Sequence, residues 1–219
     1  MKLSKNVQYY GKDELLPKQI NLQAGPLNLI YEAGDLRYVK FGDKEIIRRV
    51  YVAVRDHNWD TVIPVLSNVR INIANDSFNI KYSVSNIQDN VDFLWEGNII
   101  GKPDGTITFS MDGVAQSTFW RNRIGFCILY PMEYAGADCE IEHVSGVVEK
   151  SSFPKFIAPQ RIIDGKPSPV EPFSNMRALV YEVVPNVLAE VRFEGENFEM
   201  EDQRNWTDAS FKTYGTPLR

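Results

Sequence analysis

The chain has 219 residues, 43% of them hydrophobic, which excludes a disordered segment and allows one large domain. Its net charge is -5, and no basic run is longer than Arg48-Arg49, which argues against a nucleic-acid partner, since phosphate neutralisation needs clustered Lys and Arg. Two cysteines (Cys127, Cys139) and two histidines (His57, His143) are too few for a disulfide framework or a Cys/His zinc site, so buried free thiols, no metal and no cofactor are expected.

Residues 1–22 are mixed and polar, and read as an N-terminal arm or edge strand; 23–219 read as one β domain. Met1 to Asn6 lacks the apolar core of a signal peptide. No apolar run approaches the ~20 residues of a membrane span, so a cytoplasmic location without a membrane partner is expected. Leu27, Leu29 and Tyr31 begin a period-two pattern, followed by turns at Gly34-Asp35 and Gly42-Asp43 and an apolar run at Val50 to Val54. That spacing predicts a β-meander. Alternation continues through Val69 to Ile73, across the turn Asn75-Asp76 into Phe78 to Val84, then Val91 to Trp95 and Ile107 to Phe109. Val114 to Asn122 is compatible with one or two helical turns.

The run from Arg123 to Tyr130 is continuously apolar in its centre, which predicts a strand buried on both faces. Cys139 to Val144 alternates, and Ala178 to Val184 and Val187 to Phe193 flank the turn Pro185-Asn186. Phe153 to Phe173 holds five prolines and reads as a long surface loop. Many short strands with little helix predict an all-β fold, an antiparallel β-sandwich or barrel.

Three polar clusters are candidates for chemistry. Arg55-Asp56-His57-Asn58-Trp59-Asp60 follows an apolar strand, where loops on a rigid sheet commonly carry sites. Arg55 offers a fork to a carboxylate or diol, and Trp59 a flat face for a sugar ring. Arg121 and Arg123 flank the entrance of a buried strand and need anionic partners, for which the acids at 199 to 202 are candidates. Phe198 to Tyr214 is dense in charge, holding Glu199, Glu201, Asp202, Arg204, Trp206 and Lys212. If it starts as a strand, Phe198 and Met200 share one face and Glu199 and Glu201 the other. Two carboxylates at that spacing lie ~7 Å apart along the strand, which suits an acid and base pair or two ion-pair partners for the arginines. There is no Gly-x-Ser-x-Gly and no glycine-rich phosphate loop.

The segments Gly34-Asp35-Leu36-Arg37-Tyr38, Ile47 to Trp59, Arg121 to Cys127 and Phe198 to Tyr214 resemble the N-terminal region of the D-apionate lactonase family of glycoside-hydrolase-like proteins. The opening strands are also similar to galactose-mutarotase-type supersandwich domains. The resemblance implies a β-sandwich-rich N-terminal domain of a longer chain, followed by a (β/α)-barrel partner region. It implies a carbohydrate-active hydrolase acting on a sugar-acid lactone of the D-apionolactone type. The resemblance maps no catalytic residue of the family onto this sequence; from the polar clusters themselves, Glu199, Glu201 and Asp202 are the candidate catalytic carboxylates. From the same clusters, Arg55, Asp56, Trp59, Arg121, Arg123, Arg204, Trp206 and Lys212 are the candidates to bind a small carbohydrate or sugar acid. A glycoside hydrolase with paired carboxylates and a non-catalytic sugar-binding or scaffold module are the alternatives. An aldose epimerase, with His57 and His143 the only histidines available to it, is a further reading that follows from the supersandwich similarity.

Overall fold

The computed structural model describes residues 3–159, 161–168, 170–204 and 210–215. A one-turn helix, α1 (Lys5–Tyr10), starts at Ser4, whose Oγ accepts the Val7 N–H, and stops at Gly11 in the left-handed region. The sheet begins at β1 (Gln19–Ala24), which pairs with β2 (Leu27–Glu32) with Leu22 and Ala24 turned inward. Residues 19–22 therefore form part of the edge strand of the sheet. β3 (Asp35–Phe41) and β4 (Lys44–Asp56) complete the expected meander. Gly25 is required at the first turn: a Cβ there would lie 2.1 Å from the Pro103 carbonyl oxygen, and its φ is +51.

A separate antiparallel sheet follows, made of β5 (Pro64–Ile73), β6 (Phe78–Gln88), β7 (Val91–Gly101) and β8 (Ile107–Ala115). The chain then returns through β9 (Arg121–Tyr130) to pair with β4. No helix forms at 114–122. Cross-strand pairing of Ala115 with Phe93 and of Arg121 with Asp56 takes both ends of that segment, leaving only a five-residue bend.

The remaining strands are β10 (Asp138–His143), β11 (Val148–Ser152), β12 (Arg161–Ile163), β13 (Lys166–Ser168), β14 (Val170–Val184), β15 (Val187–Arg192), β16 (Phe198–Asp202) and β17 (Phe211–Gly215). The proline-rich segment is thus not simply a loop. It holds the β12–β13 hairpin and the start of β14, and its anchor Phe153 is fully buried. Pro154 and Pro159 lie outside the strands. Pro167 sits in the two-stranded hairpin, and Pro172 falls where the β14–β16 register shifts between Val170 and Phe173.

The large sheet runs β1-β2-β3-β4-β9-β17-β16-β14-β10-β11, with β15 also on β14. β14 pairs with β16 through its first half and with β15 and β10 through its second, with register shifts between. Leu179, Tyr181 and Val183 of β14 and Ile141 of β10 pack against Ile46, Ile128 and Tyr130 of β4 and β9, strands they do not pair with. The Tyr181 hydroxyl donates to the Ile46 carbonyl at 3.0 Å. The bulged β14 therefore folds the end of the sheet back over its centre. The β5–β8 sheet covers the β1–β4 end of the same inner face, burying Leu22, Leu29, Leu36 and Val54 against Phe78, Ile80, Tyr82 and Trp95. The fold is an all-β sandwich, as expected. No helix among the described residues is long and apolar enough to cross a membrane.

One polar contact ties the small sheet to the loop that carries Trp59. Trp95 Nε1 donates to Asn86 Oδ1 at 3.0 Å, and Asn86 Nδ2 donates to the Val62 carbonyl at 2.8 Å. Asn86 is 2% exposed. Asn86→Leu strands a buried indole N–H and a carbonyl, and is expected to cost about 1–3 kcal/mol, read from the urea midpoint. An unchanged midpoint would show that water reaches both groups.

Candidate functional site

β4, β9, β17 and β16 are neighbours at the centre of the large sheet, and period two decides what each presents outward. The registers Glu199↔Tyr214, Tyr214↔Cys127 and Cys127↔Tyr51 form one outward row. Glu201↔Lys212, Lys212↔Leu129 and Leu129↔Arg49 form the next. The inward positions between them, Phe198, Met200, Phe211 and Ile128, belong to the core. The outer face thus collects charge over a strand set whose inner face is apolar.

Arg123 of β9 is the centre of this face. Its Nη2 donates to Glu199 Oε1 at 2.6 Å and lies 3.4 Å from Glu201 Oε1. Its guanidinium stands 4.3 Å from the Tyr214 ring centroid and 5.9 Å from that of Trp59. The Lys212 ammonium is 5.0 Å from the Tyr214 ring and 5.8 Å from the Tyr51 ring. Arg123, Glu201 and Lys212 are all buried, at 5%, 6% and 3% exposure. Charges so desolvated persist only when paired, and the carboxylates and ring faces supply the pairing.

The second oxygen of Glu201 is also held. Tyr214 donates its hydroxyl to Glu201 Oε2 at 2.9 Å, and Gln203 Nε2 donates to the same oxygen at 2.6 Å and to the Tyr214 hydroxyl. Burial first, and then the Glu201 charge, raise the Tyr214 pKa far above the usual tyrosine range, so this hydroxyl stays a donor. Burial likewise raises the pKa of the neighbouring Cys127 thiol, which makes it a poor nucleophile. Glu171 of β14 adds a third carboxylate, with oxygens of Glu171, Glu199 and Glu201 all within 4.8 Å of one another. Arg123, Gln203 and Tyr214 already direct donors at Glu199 and Glu201, which suits a hydrogen-bonded ion network better than a cation cage.

The loop over this face is held by the first polar cluster. Asp56 Oδ1 accepts the N–H groups of Asn58 at 2.8 Å and Asp60 at 3.0 Å. Arg55 Nη1 donates to Thr61 Oγ1 at 3.0 Å and to the Trp59 carbonyl at 3.4 Å. Asn122 Nδ2 donates to the carbonyls of Asp56 and His57 at 2.9 and 2.8 Å. These bonds keep Trp59 at φ +73, a costly conformation for a bulky residue, with the residue 52% exposed and its ring beside Arg123.

The three sequence clusters therefore meet in space through Trp59, Arg123, Glu199 and Glu201, with Lys212 on the same face. Arg55 and Asp56 reach the site as supports of the Trp59 loop. Arg121 lies at the mouth as the cross-strand partner of Asp56, its Nη1 toward the Asn122 carbonyl at 3.5 Å. Asp202 and Arg204 fall elsewhere. Parity puts Asp202 with Phe198 and Met200 on the inner side, where it pairs with Arg204 at 2.7 Å. Arg204 covers the Phe211 ring and donates to the carbonyls of Lys155 and Phe156, so the pair clamps the proline-rich segment. Trp206 lies outside the described residues. The sequence reading missed Gln203, Tyr51 and Glu171 as members of the cluster. Period two extended from Glu199 finds Gln203, whereas Glu171, inside a proline-rich run, gave no signal.

The sequence profile described as the D-apionate lactonase N-terminal domain matches residues 7–219. A curated D-apionate lactonase of Brucella anthropi is 37% identical over 211 residues, which is 95% of this chain and 33% of that protein. The chain spans about a third of the length of the curated relative it matches. With the profile match covering nearly every residue, the chain belongs to the D-apionate lactonase N-terminal domain family.

Proposed function

We propose that this chain is the N-terminal domain of a sugar-acid lactonase and that the face around Arg123 holds the sugar acid or its lactone. The observation that carries the reading is Arg123, buried between Glu199 and Glu201 beside the exposed ring of Trp59. The Trp59 face suits the C–H side of a sugar ring, and the Arg123 and Lys212 cations suit a carboxylate or a polarised carbonyl. Lactone hydrolysis adds water to the carbonyl, passes through a tetrahedral oxyanion and expels the ring oxygen. A base must take the proton of the water. Glu201 has both oxygens engaged, whereas Glu199 is held through one oxygen by Arg123 among the described residues, with its side chain 21% exposed. Glu199 is therefore the better placed of the two for that role, with Glu201 as the fixed counter-charge. A barrel region carried by longer members of the family is the expected covalent partner.

The glycoside-hydrolase alternative needs two carboxylates flanking an open scissile bond. Arg123 between Glu199 and Glu201 favours the lactonase reading instead. Proton release from D-apionolactone, followed in the full polypeptide that carries this domain, tests it. Glu199→Gln is expected to lower kcat about 10²–10⁴-fold, the usual contribution of a general base, with a smaller change in KM. Turnover equal to wild type would remove Glu199 from the chemistry.

A further inference from the structure

The layer that covers the inner face of the large sheet has a gap. β8 pairs only with β7 and β15 only with β14, so among the described residues each leaves one edge without a strand. Between these edges runs a groove of about 860 Å³ whose floor includes Val50, Phe126 and Ile128 of the central strands. The inward residues of both edges stay only half-buried: Ile107, Phe109 and Met111 on β8, and Val187, Ala189 and Val191 on β15. On β6 and β7, which have neighbours on both sides, nearly every inward position is buried.

Edges left open in stable proteins are usually blunted by proline, lysine or bulges. β8 (Ile107–Ala115) contains neither proline nor lysine, and its pairing with β7 runs without a register shift. The open backbone rows call for hydrogen-bonding partners that a hydrocarbon ligand cannot provide, and an added strand can.

We propose that the groove receives an extended strand, supplied by polypeptide that longer members of the family carry outside this domain. Three observations define that strand. β15 offers six residues of edge, matching the usual strand length of about 5–6 residues. The apolar floor selects apolar side chains at every second position. Arg192 and Glu190 of the lining are tied to each other, and Arg192 also to Glu142, which leaves Asp104 and Glu194 as the acids of the groove, so a Lys or Arg at the strand's flank is favoured. The matched relative leaves the larger part of its length outside this domain, ample to provide the strand.

Hydrogen–deuterium exchange tests this, using the 219-residue protein and overlapping synthetic peptides from the unmatched part of the Brucella anthropi relative. At least one alternating apolar peptide is expected to slow exchange along both β8 and β15 about tenfold or more, leaving the other sheet edges, β1 and β11, unchanged. Leu188→Lys, at a position 67% exposed and opposite Glu182 of β14, sets a like charge against the strand's basic flank and is expected to weaken that protection. The proposal is overturned if no peptide protects both edges. It is equally overturned if β1 and β11 are protected to the same degree, or if raising the protein concentration alone protects β8 and β15, which would make a second copy the occupant.

Discussion

Arg123→Met is expected to destabilise the domain by about 3–5 kcal/mol, because removing one member of a buried ion group leaves the others uncompensated. Glu201 is 6% exposed and keeps its bonds from Tyr214 and Gln203, but it loses the cation that offsets its desolvation. Glu199 loses its bond at 2.6 Å, and the Tyr214 ring loses the guanidinium at 4.3 Å. Equilibrium urea unfolding reads the loss as a lower midpoint at constant slope. Adding Glu199→Gln and Glu201→Gln is expected to recover part of it, since the unpaired carboxylates are then neutral while the buried Lys212 keeps its charge. A single substitution that leaves the midpoint in place would mean that water screens these charges and that the face is open to solvent throughout.

Phe153→Ala is the second large effect, expected at about 3–5 kcal/mol from lost burial plus the cavity left behind. Phe153 is fully buried among five rings: Phe211 at 5.2 Å, Tyr181 at 5.5 Å, Tyr134 at 5.9 Å, Tyr130 at 6.2 Å and Phe173 at 6.4 Å. It pins the start of the proline-rich segment between the folded-back layer and the central strands. Phe211 shares β17 with Lys212 and Tyr214, so the cavity opens directly beneath the polar face. The same variant is therefore expected to weaken any ligand held over Arg123, which separates it from a core substitution remote from β17 such as Ile80→Ala. Equal effects of the two on binding would contradict the link between the core under β17 and the face above it.

The strands were legible because alternation and turn residues are local. Asn75-Asp76 and Pro185-Asn186 each set a hairpin where the sequence places it. The site was half legible for the same reason. Period two separated Glu199 and Glu201 from Phe198 and Met200, and the need of a buried arginine for carboxylates linked Arg123 to residues 76 and 78 positions away. That logic fails where partners come from the bend of the sheet. Glu171 joins the cluster only because β14 lies beside β16, which no local pattern announces. Asp202 was grouped with its neighbours by closeness in sequence, although the parity that separates Glu199 from Met200 puts it on the inner side. The proline-rich run hid two short strands and the start of a third, because proline blocks only one edge of a ladder and bulges absorb the rest. The folding back of the sheet at β14 depends on contacts between strands far apart in the chain, and composition carries no trace of it.

The measurement that bears most directly on the Arg123 face is a titration of the 219-residue protein with D-apionate, followed by the NMR signals of the Trp59 indole N–H and the Arg123 guanidinium. A saturable shift of both signals, lost in Trp59→Ala while the fold is retained, is the predicted result. Saturation without movement of either signal, or shifts confined to the groove between β8 and β15, would contradict the assignment of this face as the sugar-acid site.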